Sequence, residues 1–109
     1  MNYSKGDVVL LPYPFTDLKT AKVRPAVVVA SEEGKYADLF VVPLTSRTAN
    51  LNTGEFVLKD WNSAGLNVSS AVKRGCVLID AALIRLKVGS LTKRDTSALN
   101  KSLKLWLEL

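Results

Sequence analysis

The chain has 109 residues, close to half of them apolar, and a net charge of +5. That is enough for one core and one domain over residues 1–109, too apolar for a disordered chain and too short for two domains. With no histidine and a single cysteine, Cys76, the common zinc clusters, an internal disulfide and a histidine-based triad are all excluded.

The positive charge favours an acidic partner, nucleic acid first among them. It is dispersed, however, over small groups: Lys19, Lys22 and Arg24; Lys73 and Arg74; Lys93 and Arg94. A solvated basic surface therefore stands beside the ligand-binding reading. No apolar run approaches the roughly 18 residues of a membrane span, and Met1 to Asp7 lacks the apolar core of a signal peptide. The expectation is a soluble cytoplasmic protein without a membrane partner.

In chain order, Lys5-Gly6-Asp7 is a turn that launches a strand, Val8 to Leu11. Pro12 and Pro14 are expected to end regular pairing there, because proline cannot donate to a ladder. Tyr13 to Lys22 mixes aromatic, hydroxyl, acidic and basic groups with little periodicity. It reads as a loop of about ten residues, long enough to be functional.

The stretch Lys22 to Ala30 is valine-rich and reads as a buried strand, with Pro25 near its start. Packing does not ask for Arg24 at the point where this run begins. Ser31 to Lys35 is a polar turn. Tyr36 to Leu44 is a third strand, expected to stop at Pro43, and Thr45-Ser46-Arg47-Thr48 follows as a polar cluster at its end. Glu55 to Asp60 alternates and reads as a fourth, partly exposed strand. Asp60 to Gly65 fits one helical turn, with Asp60 as cap and Gly65 as stop.

Val68 to Val72 is a short strand. Gly75 to Val88 is long and apolar, but its β-branched content and flanking glycines favour two strands with a bend near Asp80-Ala81-Ala82. Within it, Cys76 reads as a small core hydrophobe. At the C-terminus Thr92 can cap a helix, with Asp95 as a capping-box partner. Leu99, Leu103 and Trp106 then form the face that packs on a sheet. The fold class is mainly β (α+β), a small antiparallel barrel with a C-terminal helix laid against it.

Glycine-rich phosphate loops, HExxH and CxxC are absent from the sequence. What remains is a pair of polar strand ends, Val23-Arg24-Pro25 and Leu44-Thr45-Ser46-Arg47. An arginine beside two hydroxyls is a donor set suited to phosphate. The other reading is that Arg24 pairs with a nearby acid and Thr45 merely ends a strand.

The ordered set Gly6-Asp7-Val8-Val9, Arg24-Pro25-Ala26-Val27-Val28, Val42-Pro43-Leu44-Thr45-Ser46, Ala64-Gly65-Leu66 and Gly89-Ser90-Leu91, before a terminal helix, resembles the MazF/PemK family. These are toxins of bacterial type II toxin–antitoxin systems, and the resemblance covers nearly the whole chain. It implies an SH3-like barrel acting as a homodimer, and an endoribonuclease that cuts single-stranded RNA with no metal or other cofactor. It also implies an antitoxin partner that blocks the RNA groove.

Carried over, the family's strand-start arginine falls on Arg24 and its hydroxyl after the third strand on Thr45, the two catalytic candidates. Ser46, Arg47, Lys22, Lys73 and Arg74, with Phe15 and Thr16 of the first loop, are the RNA-binding candidates. Tyr13 and Phe15 could stack on unpaired bases or anchor the loop. The implied chemistry is attack of a ribose 2′-OH on the adjacent phosphate, leaving cyclic-phosphate and 5′-OH ends.

Two positions depart from the family pattern. Some members carry an arginine and an aspartate where this chain has Val72-Lys73-Arg74-Gly75, and some use a first-loop histidine that this chain lacks. Proton transfer would then involve Arg24 with Lys73, Arg74 or a carboxylate such as Asp17. The alternative from another class is a non-catalytic binding module on the same barrel, inhibiting a protein target such as gyrase.

Overall fold

The computed structural model describes residues 3–13, 22–31 and 38–109. Its elements are β1 (Asp7–Tyr13), β2 (Lys22–Ser31), β3 (Asp38–Thr45), β4 (Phe56–Val57), β5 (Ala71–Val72), β6 (Val77–Asp80), a 3₁₀ turn (Ala81–Leu83), β7 (Leu86–Ser90) and α1 (Lys93–Leu107). The strands run antiparallel in the order β4-β5-β3-β2-β1-β7. β6 lies against the first half of β3, on the edge whose last two residues pair with β5. The architecture is the expected one, a mainly antiparallel sheet with one C-terminal helix. No helix of the described residues is long and apolar enough to cross a membrane.

The valine runs are explained by burial on both faces. Val8, Val27 and Val42 enter one core cluster, which continues through Leu44, Leu58, Leu66 and Val72 to Leu99 on the helix. Their chain neighbours Val9, Val28 and Val41 enter a second, with Leu11, Ala26, Leu39 and Ile79. Side chains alternate across a strand, so a strand covered on both sides loses the polar alternation of a half-exposed one. Leu99, Leu103 and Trp106 pack on the first cluster, as their spacing predicts.

Pro12, Pro25 and Pro43 do not end strands here, and Pro14 lies outside the described residues. Pro12 pairs with Val23, and Pro25 lies inside β2 opposite Leu10. Each sits where its strand is paired on one side only. The β1–β7 ladder covers Asp7 to Leu10 and stops before Pro12. The β2–β3 ladder starts at Ala26, one residue after Pro25. Pro43 falls in the gap between the β6 ladder, which ends at Val41, and the β5 ladder, which begins at Leu44. A missing N–H costs little where no neighbouring strand waits for it.

The bend in Gly75 to Val88 is present as the 3₁₀ turn, capped by the Asp80 side chain, which accepts from the Ala82 N–H at 2.9 Å. The expected fourth strand is shorter than Glu55–Asp60, and the expected fifth is reduced to Ala71–Val72. The cause lies in the helix. Asp95, almost fully buried, accepts from the backbone N–H groups of Lys59 at 3.0 Å and Asp60 at 2.8 Å, so a carboxylate replaces a strand neighbour there.

Asp95 is therefore not the capping-box partner of Thr92, and Thr92 makes no side-chain cap bond to its own helix. Its hydroxyl donates to Asp60 Oδ2 at 2.5 Å, beside two bonds from the Arg94 guanidinium at 2.6 and 2.7 Å. Asp60 thus clamps the helix start rather than capping the turn that follows it. These bonds, chiefly from Arg94 and then Thr92, lower the Asp60 carboxyl to about pKa 2. The single turn itself forms, with the Ala64 N–H bonded to the Asp60 carbonyl, and Gly65 ends it at φ +89°.

Candidate functional site

The site is built on the ends of β2 and β3. The ladder pairs Val28 with Val41, Val27 with Val42 and Ala26 with Pro43. That is the last β2–β3 pair: two residues beyond it Arg24 is paired with Leu11 of β1, and Thr45 with Ala71 of β5. The core behind them is fully packed: Val27, Val28, Val41 and Val42 are solvent-free. Arg24 itself is exposed and Thr45 half-buried. Among the described residues the ion pairs are Lys87–Asp7 and Arg94–Asp60, and neither uses Arg24.

Thr45 is held by its own backbone. Its Oγ1 accepts from the Arg47 N–H at 3.1 Å, two residues on. A hydroxyl whose oxygen is engaged in this way points its proton elsewhere, which makes it a donor for an anionic oxygen. The same short turn carries Ser46 and Arg47 out from the strand end, both exposed.

Two depressions flank this ridge. One, of about 290 Å³, is lined by Arg24, Pro25 and Ser46 together with Asn67, Val68 and Ser70. The other, of about 340 Å³, is lined by Thr45, Arg47, Asn50, Asn52, Glu55 and Lys73. Thr45 and Ser46, neighbours in the chain, line different depressions. The structure thus groups Arg24 with Ser46, and Thr45 with Arg47 and Lys73.

Lys73 is brought to the β3 end because its backbone N–H donates to the Pro43 carbonyl at 3.0 Å. Arg74 follows, exposed, and Lys22 stands exposed at the start of β2, opposite Tyr13. Phe15, Thr16, Asp17 and the Tyr13 side chain lie outside the described residues, as does the polar turn expected at 32–35. The Cys76 thiol is only partly buried, not sealed in the core, and burial raises its pKa.

Glu55 is the site residue that sequence reasoning missed. Its Oε1 accepts from the Asn52 N–H at 2.8 Å and its Oε2 from the Arg74 N–H at 2.9 Å. These two bonds, Arg74 first, with a smaller contribution from the Lys73 charge, hold the carboxyl below the usual glutamate range. The bond to Arg74 spans 19 residues. In the sequence Glu55 is merely the first residue of an alternating run, and nothing local marks it.

Chemically, the ridge offers a guanidinium, two hydroxyls and further cations around two nucleotide-sized hollows. The fold is a small, mainly antiparallel β protein with one C-terminal helix, and the donors at its strand ends are of the types that suit a phosphate.

Solved structures share this fold. An endoribonuclease in complex with its cognate antitoxin, from a mycobacterial species, is 18% identical, with 99% of this chain and 97% of that chain covered and a TM-score of 0.74. A second mycobacterial endoribonuclease is 19% identical over 96% and 90% of the two chains, with a TM-score of 0.73. MazF from Deinococcus radiodurans is 21% identical over 98% and 97%, with a TM-score of 0.72. No curated protein sequence matches the chain. The family profile of PemK-like, MazF-like toxins of type II toxin–antitoxin systems matches residues 4–107, and the chain belongs to that family.

Proposed function

We propose that the protein is a toxin that acts as a metal-independent endoribonuclease on single-stranded RNA in the cytoplasm, with Arg24 and Thr45 as its catalytic residues. The observation that carries this reading is the grouping of Arg24 with Ser46 about one depression, and of Thr45 with Arg47 and Lys73 about a second, where β2 and β3 leave their shared ladder. The ribose 2′-oxygen attacks the adjacent phosphorus and loses its proton as the P–O5′ bond breaks. The 5′-oxygen takes up a proton, and the products are a 2′,3′-cyclic phosphate and a 5′-hydroxyl. The nucleophile belongs to the RNA, so no protein nucleophile is needed.

Negative charge on the non-bridging oxygens grows as the five-coordinate phosphorus forms. A guanidinium fixed at that place stabilises the transition state more than the ground state. The Thr45 hydroxyl, already turned outward by its bond to the Arg47 N–H, holds one of those oxygens. Ser46, Lys22, Arg47, Lys73 and Arg74 neutralise flanking phosphates, and the two depressions receive the nucleotides on either side of the cut. Phe15 and Thr16 belong to the same RNA surface in this reading.

The protein partners in this reading are a second copy of the chain and a cognate antitoxin. Phe40, Leu78, Leu107 and Leu109 are large apolar side chains left exposed on this chain, and such surface commonly seeks protein cover. One fold relative was crystallised with its own antitoxin.

The test is to incubate purified protein with a long RNA in EDTA and map the ends. Cleavage with cyclic-phosphate and 5′-OH ends is expected, and Arg24→Ala should cut about 10²–10³-fold more slowly. Intact RNA, with growth arrest still seen on expression, would replace this reading with that of a binding module directed at a protein such as gyrase.

A further inference from the structure

We infer that Glu55 is a positioning residue of the RNA site, a two-armed carboxylate clasp that holds the Asn50–Asn52 rim against the Lys73–Arg74 strand end. This rests on the proposed ribonuclease reading. The two arms reach different parts of the chain. Oε1 takes the Asn52 N–H, three residues back, and Oε2 takes the Arg74 N–H, beyond β5. Between them lies the depression that also holds Thr45, Arg47 and Lys73. Besides the clasp, this region is joined to the cationic wall by the short β4–β5 and β3–β5 pairings and by the Lys73 N–H bond to the Pro43 carbonyl.

The turn from Asn52 to Glu55 is also closed by a backbone bond, Glu55 N–H to the Asn52 carbonyl at 2.9 Å, so the arm to Arg74 is the one that reaches out of the turn. Asn50 sits in the left-handed region at φ +58°, which turns the chain sharply back toward Glu55. A β-carbon at Gly54, the next residue but one from the Asn52 anchor, would collide with the Trp106 indole of α1. The rim therefore rests on the helix from below and is clipped at its end by Glu55. Asn50 and Asn52 line the same hollow as Lys73 and carry amide groups of the kind that read base edges.

A carboxylate in an RNA groove would otherwise be a liability. Its charge repels phosphate, so its simple removal should tighten RNA binding. The clasp predicts the opposite sign, and that sign is the test. Binding is measured with an oligonucleotide carrying a 2′-deoxy substitution at the cut site, and cleavage with its all-ribose counterpart.

Glu55→Gln keeps the length but puts an amide N–H where one backbone N–H needs an acceptor. It should bind the deoxy-substituted probe about tenfold more weakly and raise KM by a similar factor, with kcat changed much less. Glu55→Asp keeps the charge but is too short for both arms, and should behave like Glu55→Gln. Amide hydrogen exchange at Asn52 and Arg74 should accelerate in both variants.

Equal or tighter binding by Glu55→Gln, or wild-type behaviour of Glu55→Asp, overturns the role of Glu55 while leaving the ribonuclease reading standing. Wild-type protein that neither binds nor cuts RNA overturns both.

Discussion

Thr45 shows how little of a residue's role resides in its own identity. Its hydroxyl oxygen accepts from the Arg47 N–H, and in the proposed reading its proton is left for a phosphate oxygen. Thr45→Val keeps the shape and loses the donor, and should slow cleavage by about 10–100-fold with little change in thermal midpoint. Thr45→Ser should retain most of the rate. Asp95 is the opposite case, a carboxylate whose work is structural. Asp95→Asn turns one acceptor into a donor facing a buried N–H, and should cost about 2–4 kcal/mol by urea unfolding.

Asp60 ties stability to acidity. Its folded pKa, about 2, lies below the ordinary carboxyl value of 3.8, so the folded state prefers the ionised form. Its contribution is complete above about pH 4 and is lost as the pH falls through about 2. Asp60→Asn should flatten that part of the stability profile, read from urea midpoints across the acid range, and leave the slope at neutral pH unchanged.

At the scale of elements, two glycines explain pieces of sequence that looked unremarkable. Ala64-Gly65 and Val88-Gly89 cross backbone to backbone, and a β-carbon on Gly65 would strike the Val88 carbonyl oxygen, one on Gly89 the Ala64 carbonyl oxygen. This crossing locks the turn after β4 to β7, a strand from the far end of the sheet order. Gly65→Ala and Gly89→Ala should each cost about 2–4 kcal/mol, Gly65 partly through its positive φ.

The helix is held by its Leu99–Leu103–Trp106 face and by the Asp60–Arg94 and Asp95 bonds at its start. Leu99→Ala, at a side chain with no exposure, should cost about 3 kcal/mol. The strands and the helix were legible because their apolar spacing is local. β4 and the role of Thr92 were misread because their partners lie some 32 to 36 residues away on other elements. Pro12 and Pro43 were misread for a related reason. Whether a missing N–H matters depends on which ladder runs beside it, and that is a property of the assembled sheet.

For the whole molecule, the net charge of +5 becomes functional only where folding gathers it. Arg24, Arg47 and Lys73 come from three strand ends and line the two depressions, while Arg94 and Lys87 are taken up by Asp60 and Asp7. RNA binding should therefore depend steeply on salt. With about three phosphates neutralised on a single strand, raising salt from about 50 to about 200 mM should weaken binding of an uncleavable oligonucleotide about 20-fold. Arg47→Ala should reduce that slope and weaken binding across sequences, as expected of a phosphate contact.

The sequence by itself determined the valine strands, the terminal helix, the family, and the two polar strand ends with Arg24 and Thr45. Each of these is written in local composition or in the order of short motifs. Tertiary structure alone decided that Asp95 ends β4, that Gly65 meets Gly89, that Thr45 and Ser46 face different hollows, and that Glu55 joins Asn52 to Arg74. Those are long-range hydrogen bonds and backbone contacts. Apart from the adjacent Thr45 and Ser46 and the three-residue arm from Glu55 to Asn52, the partners lie 19 or more residues apart, and the packing of two core clusters chooses them.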